Sequence, residues 1–309
     1  MVRSRCAVVA NPTKLGDADA ALVRQRLAES GHDDPLWLET TQDDPGRAMT
    51  RQAVDAGVEL VLAAGGDGTI RAVAAVLAGT DVVMGIIPAG TGNLLARNLD
   101  LPLDVPGALE VAVSREERRI DTVVLTVDEG EPDRFTVMAG TGIDAIIMEE
   151  VDSRLKKFIG PGAYFVAAGK AIGRLPVPVE VTVDGRRRRR RAIICLIGNC
   201  GTLTGDLRLI PDARPDDGRL HLYVAFPSQP VHWVKMLLRL ITRRPKKDDH
   251  VEVWSGTRAE IRLDEPDAYE LDGDVEGDGV VLRAEVDPGS LRMRARAPHR
   301  GDEATPNAS

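Results

Sequence analysis

Aromatic side chains are scarce in this 309-residue chain, where Phe, Tyr and Trp together make up 3%. Stacking platforms for single-stranded nucleic acid need several such rings, so nucleic acid is not an expected partner. An excess of positive charge is missing too. The 40 Lys+Arg are outnumbered by 48 Asp+Glu, a formal net charge of −8, and the whole-molecule field repels a polyanion. Cysteine is limited to Cys6, Cys195 and Cys200, an odd count set in apolar runs. That argues against a disulfide framework and for a reducing, cytoplasmic setting. Cys195 and Cys200 have no histidine or second cysteine pair beside them, which argues against zinc. No window approaches the ~18–20 uninterrupted apolar residues of a spanning helix. The apolar start is too short for a secretory leader, so any membrane contact is expected to be peripheral.

What is present is ordinary globular material, 43% hydrophobic and 28% charged, in a length that suits two domains. Through the first third, short apolar runs alternate with helical spacing. The runs are residues 6–10, 36–39, 59–64 and 82–87, and the helical stretches are 18–30, 47–56, 70–77 and 94–98. Runs without polar alternation, separated by helices, predict a parallel sheet covered on both faces, in a Rossmann-like α/β domain over 1–121. Beyond Asp121 the rhythm turns to strands at 122–127, 134–139, 179–183, 192–197, 219–224, 251–253, 259–263 and 280–286. Helical character returns only at 154–172 and 232–242. This predicts a mainly antiparallel β-sandwich domain over 122–298, with a return of its last strand to the first domain left open, and a disordered tail at 299–309.

The most informative segment is Gly65-Gly66-Asp67-Gly68-Thr69, between a buried strand and a helix. Its glycines let backbone N–H groups converge on an anion, and the helix N-terminus adds its dipole. Asp67 would repel phosphate unless a divalent cation sits between them, which points to a Mg²⁺–nucleotide site. A plain strand-to-helix turn capped by Asp67 or Thr69 is the competing explanation. A second loop, Gly90-Thr91-Gly92-Asn93, ends the next strand, and Asn11-Pro12-Thr13 and Thr40-Thr41 end the first two. Ligands of open α/β sheets bind at this carboxyl edge. No P-loop or nucleophile elbow is present, and the glycine pattern at 140–145 lacks the acidic residue a dinucleotide site needs.

GGDGT at 65–69, followed by P-x-G-T-x-N-x-x-A-R from Pro88 to Arg97, resembles the diacylglycerol kinase catalytic-domain family, bacterial lipid kinases related to sphingosine kinases. Asn11-Pro12, Ile120-Asp121, the stretch 135–144, Ile197-Gly198-Asn199, Pro211-Asp212-Ala213, residues 216–220 and Leu271-Asp272-Gly273-Asp274 extend the likeness over nearly the whole chain. The resemblance implies ATP-dependent phosphorylation of a lipid hydroxyl, diacylglycerol first, in a cleft between the domains. ATP would be held by Asn11, Pro12, Thr13, Thr41 (or Thr40), the loop Ala64, Gly65, Gly66, Asp67, Gly68, Thr69 and Ile70, and Thr91, Asn93 and Arg97. Asp67 would hold catalytic Mg²⁺ with Asp121 in support. A second, structural Mg²⁺ would lie on the Asp217 carboxylate and the carbonyls of Arg214 and Arg219. Asp272 and Asp274 would supply the general base.

A lipid alcohol is a poor nucleophile, so a nearby carboxylate that takes its proton suits the reaction. In an extended strand, Asp272 and Asp274 would point to one side, and two such charges raise one pKa. A solvated acidic loop over 264–278 is the bland alternative. The family usually has Glu at position 274 and often Asp at position 94, where this chain has Asp and Leu. Those departures keep two rivals open, an NAD kinase and a catalytically weak lipid or nucleotide sensor. Two basic segments could meet a membrane surface: 231–247, an apolar stripe with Trp233 and six cations, and the six arginines at 186–191. Packing of 231–247 on the β domain, and an edge strand guarded by charge at 186–191, explain them as well. The oligomeric state is open, a homodimer included.

Overall fold

The structure, a computed structural model, describes residues 5–142, 176–203, 207–226 and 250–296. The helices expected at 154–172 and 232–242, the basic segment 231–247, the end of the 135–144 motif and the tail lie outside the described residues.

The first unit is built from β1 (Cys6–Ala10), α1 (Asp17–Glu29), β2 (Leu36–Glu39), α2 (Arg47–Asp55), β3 (Leu60–Gly65), α3 (Asp67–Leu77), β4 (Val83–Pro88), α4 (Leu94–Asn98) and α5 (Val105–Ala112). β2, β1, β3 and β4 lie side by side and parallel. Every residue of β1, β3 and β4 is buried, which is why these runs carry no polar alternation. The strand period of two splits their side chains between two cores. Ala7 and Val9 join Ile70, Val73 and Leu77 of α3 on one face, while Cys6 and Val8 join Val23 and Leu27 of α1 and Leu109 of α5 on the other. α5 has no counterpart among the predicted helices, because Pro102, Pro106 and Gly107 punctuate that stretch. Pro106 in fact stands in the helix's first turn, where its missing N–H costs nothing, and Asp104 caps the Gly107 N–H at 2.8 Å.

The second unit follows with β5 (Glu117–Val127), β6 (Asp133–Phe135), β7 (Met138–Thr141), β8 (Val177–Val183), β9 (Arg186–Ala192), β10 (Ile194–Gly198), β11 (Thr202–Leu203), β12 (Leu207–Arg208), β13 (Leu220–Ala225), β14 (Val251–Gly256), β15 (Arg258–Leu271) and β16 (Asp274–Arg294). Its pairings are antiparallel. In β8, Val179, Val181 and Val183 point into a core with Phe135, Ile197, Leu222, Ile261 and Leu282, and Glu180 and Thr182 point outward. The final strand, β16, ties the units together. It pairs with β5 and β15, and its last residues, Arg292 and Met293, pair parallel with Val83 and Met84 of β4.

The run 134–139 is two strands rather than one. Thr136 and Val137 leave the ladder between β6 and β7, and their backbone N–H groups turn to the Asp272 carboxylate. The arginines at 186–191 form strand β9, which among the described residues pairs only with β8, at the sheet's edge. Arg187 pairs with Glu180, Arg189 with Asp264 at 3.2 Å and Arg190 with Glu252 at 2.7 Å. Three of the six arginines thus meet carboxylates among the described residues, as in an edge guarded against further strand pairing.

All three cysteines are buried and free. Burial pushes the Cys6 and Cys195 thiols up to about 12 and Cys200 well above its ordinary value. Native protein is therefore expected to leave a thiol reagent unreacted, and denatured protein to release three thiols per chain. Fast labelling of any one of them before unfolding would show that its burial is wrong.

Candidate active site

The carboxyl ends of β1, β3 and β4 gather the loops that the sequence singled out. After β1, Asn11 folds back on Thr13, whose N–H and hydroxyl donate to Asn11 Oδ1 at 3.0 and 2.8 Å. Asn11 N–H donates to the Ala64 carbonyl at 2.8 Å, so the first and third strand ends are locked together. After β2, Thr40 is buried, and Thr41 accepts the Asp44 N–H. After β3, Gly65 admits the Thr69 side chain: a Cβ there would stand 2.7 Å from it. Gly66 and Gly90 likewise cross closely, a Cβ on Gly90 falling 2.7 Å from Gly66 Cα. The two glycine loops therefore touch, and only glycine permits the approach.

Asp67 is the first residue of α3, one turn earlier than the helical spacing suggests. Its carboxylate spans to the second loop, accepting the N–H of Asn93 at 2.8 Å and of Leu94 at 2.6 Å. Asn93 takes the left-handed conformation (φ 50°) and closes its own loop through Gly90 N–H and C=O. Leu94, the departure at an acidic family position, serves Asp67 through its backbone while its side chain is buried. Burial holds the Asp67 carboxyl up at about 6, and the charges of Asp272 and Asp274 push the same way against the two N–H donors. Thr91 is exposed beside this loop, and Arg97 Nε donates to the Gly92 carbonyl at 2.8 Å.

Asp272 and Asp274 do not share one face of a strand. Asp272 (φ 50°) and Gly273 (φ 98°) are the two central residues of the tight turn joining β15 to β16, with Leu271 paired to Asp274 across it. Two positive φ values match a type I′ hairpin turn. The Asp272 side chain is buried and accepts four hydrogen bonds, from Thr136 N–H and hydroxyl and from the N–H groups of Val137 and Met138, all at 2.8–2.9 Å. Asp274 is different, with its side chain 47% exposed and Oδ2 only 2.7 Å from where a Cβ on Gly68 would be. The hairpin thus lays one carboxylate against the glycine loop and uses the other to anchor itself.

Asp121 stands with the 214–219 turn. Its two oxygens accept from Gly218 N–H and Gly289 N–H, both at 2.7 Å, and burial followed by the charges of Asp217 and Asp216 raises its pKa. Asp217 accepts the Arg219 N–H at 2.9 Å and faces His221 Nε2 at 3.3 Å, while Arg214 Nε lies 3.6 Å from Asp216. Asn199 connects this turn to the hairpin anchor, its Nδ2 donating to the carbonyls of Asp121 and Thr136.

Sequence reasoning missed Arg71, Asp133 and Glu276, which meet beside Asp274. Arg71 pairs with Asp133 at 3.2 Å and with Glu276. The available signal was spacing: Arg71 follows Asp67 by four residues and so shares its helix face.

Residues 5–125 match the model of the diacylglycerol kinase catalytic domain, and residues 137–295 that of the YegS C-terminal NAD kinase beta sandwich-like domain. The chain is 26% identical over 280 residues to a diacylglycerol kinase of Bacillus subtilis, covering 88% of this chain and 90% of that one. It is 30% identical over 246 residues to the "Probable lipid kinase YegS-like" of Klebsiella pneumoniae, covering 79% and 80%. A crystal structure of a diacylglycerol kinase from Bacillus anthracis superposes with a TM-score of 0.76 at 20% identity, covering 96% of this chain and 98% of that one. An NAD kinase from Archaeoglobus fulgidus, solved in complex with ATP, superposes with a TM-score of 0.51 at 13% identity, covering 94% and 92%. Two family models that follow one another along almost the whole described chain leave a plain conclusion: this chain belongs to the diacylglycerol kinase family of lipid kinases.

Proposed function

We propose that the protein transfers the terminal phosphate of ATP to a lipid hydroxyl, with diacylglycerol as the leading acceptor and phosphatidic acid as the product. The observation that carries this reading is the position of Asp274, a carboxylate from the second unit lying on Gly68 of the first unit's glycine loop. A base placed there meets an acceptor hydroxyl just where a nucleotide's phosphates would end.

The backbone N–H groups of Gly66 and Gly68 and the N-terminus of α3 favour phosphate oxygens. Asn11, Thr13, Thr41, Thr69, Thr91, Asn93 and Arg97 supply polar groups around the same edge. Among the described residues there is no closed cluster of three or more His, Cys, Asp or Glu. Mg²⁺ typically takes one or two carboxylates plus phosphate oxygens and water, so it needs no such cluster. Asp67 fits as its protein ligand, since a buried carboxylate pressed by two like charges is stabilised by a cation. Mg²⁺ bound there would neutralise charge on the transferring phosphate. Asp274 accepts the acceptor hydroxyl's proton, and Asp272 holds the hairpin that carries it. A second, structural Mg²⁺ would be held at the 214–219 turn by the Asp217 carboxylate with the Arg214 and Arg219 carbonyls. No helix among the described residues is long and apolar enough to cross a membrane, and we read access to the lipid as peripheral. The basic segment 231–247 and the arginines of β9 are the candidates for that contact.

Acceptor choice is tested by offering diacylglycerol, monoacylglycerol, a long-chain base and ceramide separately in detergent micelles with labelled ATP and Mg²⁺. Diacylglycerol is expected to be labelled fastest, and preference for a sphingoid base would reassign the substrate. The docking of Asp274 has its own test in Gly68→Ala. A methyl group there collides with Asp274 Oδ2, and transfer is expected to fall about 10²-fold in a folded protein. Wild-type turnover in that variant would show that Asp274 does not work from this position.

A further inference from the structure

Arg71 occupies a position that neither the reaction nor the fold alone explains. It stands one turn after Asp67 on α3, its side chain 9% exposed, which is deep burial for a guanidinium. One terminal nitrogen donates to Asp133 Oδ2 at 3.2 Å. The other pairs with Glu276 and lies 4.0 Å from Asp274 Oδ2. Arg47 of α2 pairs with the same Asp133 but has no described contact with the hairpin.

Glu276 reaches Arg71 because of a bulge. Val275 pairs with Glu270 and Gly277 with Tyr269, so Glu276 is the extra residue on β16. Bulges re-aim a side chain in this way. Asp274 therefore lies between two anchors: two residues before it Asp272 is tied to Thr136–Met138, and two residues after it Glu276 is tied to α3. Only the second anchor reaches the helix that begins with Asp67. The charges of Asp272 and Asp274 both bear on Asp67 here, and Arg71 brings positive charge to Asp274, which is half-exposed. A planar guanidinium can serve Asp133 and Glu276 together while facing Asp274, which a lysine ammonium does less well.

We propose that Arg71 is a positioning residue for phosphate transfer, holding the Asp274 carboxylate against the Gly68 loop through Glu276 and its own charge. The inference rests on the lipid kinase reading above. Its test compares Arg71→Gln, Arg71→Lys and Arg47→Gln with wild type, measuring kcat, KM for ATP and melting temperature on diacylglycerol micelles. Arg71→Gln is expected to lower kcat by about 10²-fold with KM for ATP within about twofold. Arg71→Lys should recover part of that loss, and Arg47→Gln should keep wild-type kcat. Should Arg71→Gln fail to fold, Glu276→Gln removes the hairpin anchor with Arg71 in place and is expected to give the same split. A merely structural tie would instead lower the melting temperature of both arginine variants and leave kcat per folded molecule unchanged, which overturns the proposal. Wild-type protein that labels no lipid overturns the kinase reading and this inference with it, whereas active wild type with unchanged Arg71→Gln overturns the inference alone.

Discussion

Asp67→Asn is expected to lower phosphate transfer by about 10³-fold while the protein stays folded. The carboxylate sits at the N-terminus of α3, in the first glycine loop, and accepts two N–H groups of the second. Asparagine preserves its shape and one acceptor oxygen, so the loss isolates charge and cation binding. Two opposing effects bear on stability. The amide turns a donor toward one of the two N–H groups, a cost of about 1–3 kcal/mol. Against this, the native carboxyl is raised from 3.8 to about 6, so the folded state holds its proton more tightly than the unfolded chain does. Stability linked to this group is fully present below about pH 3.8 and is lost as pH rises through about 6. The loss is on the order of 3 kcal/mol. Asparagine cannot ionise and escapes it. In metal-free buffer the variant's melting temperature should therefore gain on the wild type between about pH 4 and 6 and hold that gain above. A pH-independent difference would show that Asp67 is not strained by its charge.

The two aspartates of the hairpin are expected to fail in opposite ways. Asp272→Ala leaves Thr136, Val137 and Met138 donors without an acceptor in a buried place and frees the β15–β16 turn. A loss of about 3–5 kcal/mol follows, enough for a fall of about 5–8 °C in the melting temperature of a chain this long. Activity falls with it because the hairpin no longer holds its partner residue in place. Asp274→Asn touches a half-exposed carboxylate and should leave melting within a few degrees, since surface changes of this kind are usually worth about ±0.5 kcal/mol. Its transfer rate is expected to drop about 10²–10⁴-fold, the range for loss of a general base. Thermal melts and initial rates on both variants decide the matter. A stable, inactive Asp272→Ala beside an active Asp274→Asn would exchange their roles.

Much of this was legible in the residues. The parallel sheet followed from unbroken apolar runs such as residues 59–64, because strands buried on both faces cannot alternate. The glycine loops showed through spacing, since the close crossing of the two loops demands a residue without a Cβ at position 90. The hairpin was misread for a physical reason: Asp-Gly between two strands is a turn signal, and the apolar and acidic pattern around it reads equally well as continuous strand. Thr136 and Val137 left the ladder because a distant residue, Asp272, competes for their N–H groups, and no local pattern carries that. Arg71, Asp133 and Glu276 are far apart in sequence and meet only through the fold, as does the pairing of Met293 with Met84.

The most direct measurement incubates wild-type protein with [γ-³²P]ATP and diacylglycerol micelles, with and without Mg²⁺, beside a reaction offering NAD in solution. The expected result is a labelled lipid migrating as phosphatidic acid, present with Mg²⁺, absent with chelator, and no labelled NAD. Labelled NAD, or bound ATP with no labelled lipid, would contradict the assignment of a lipid hydroxyl as the acceptor.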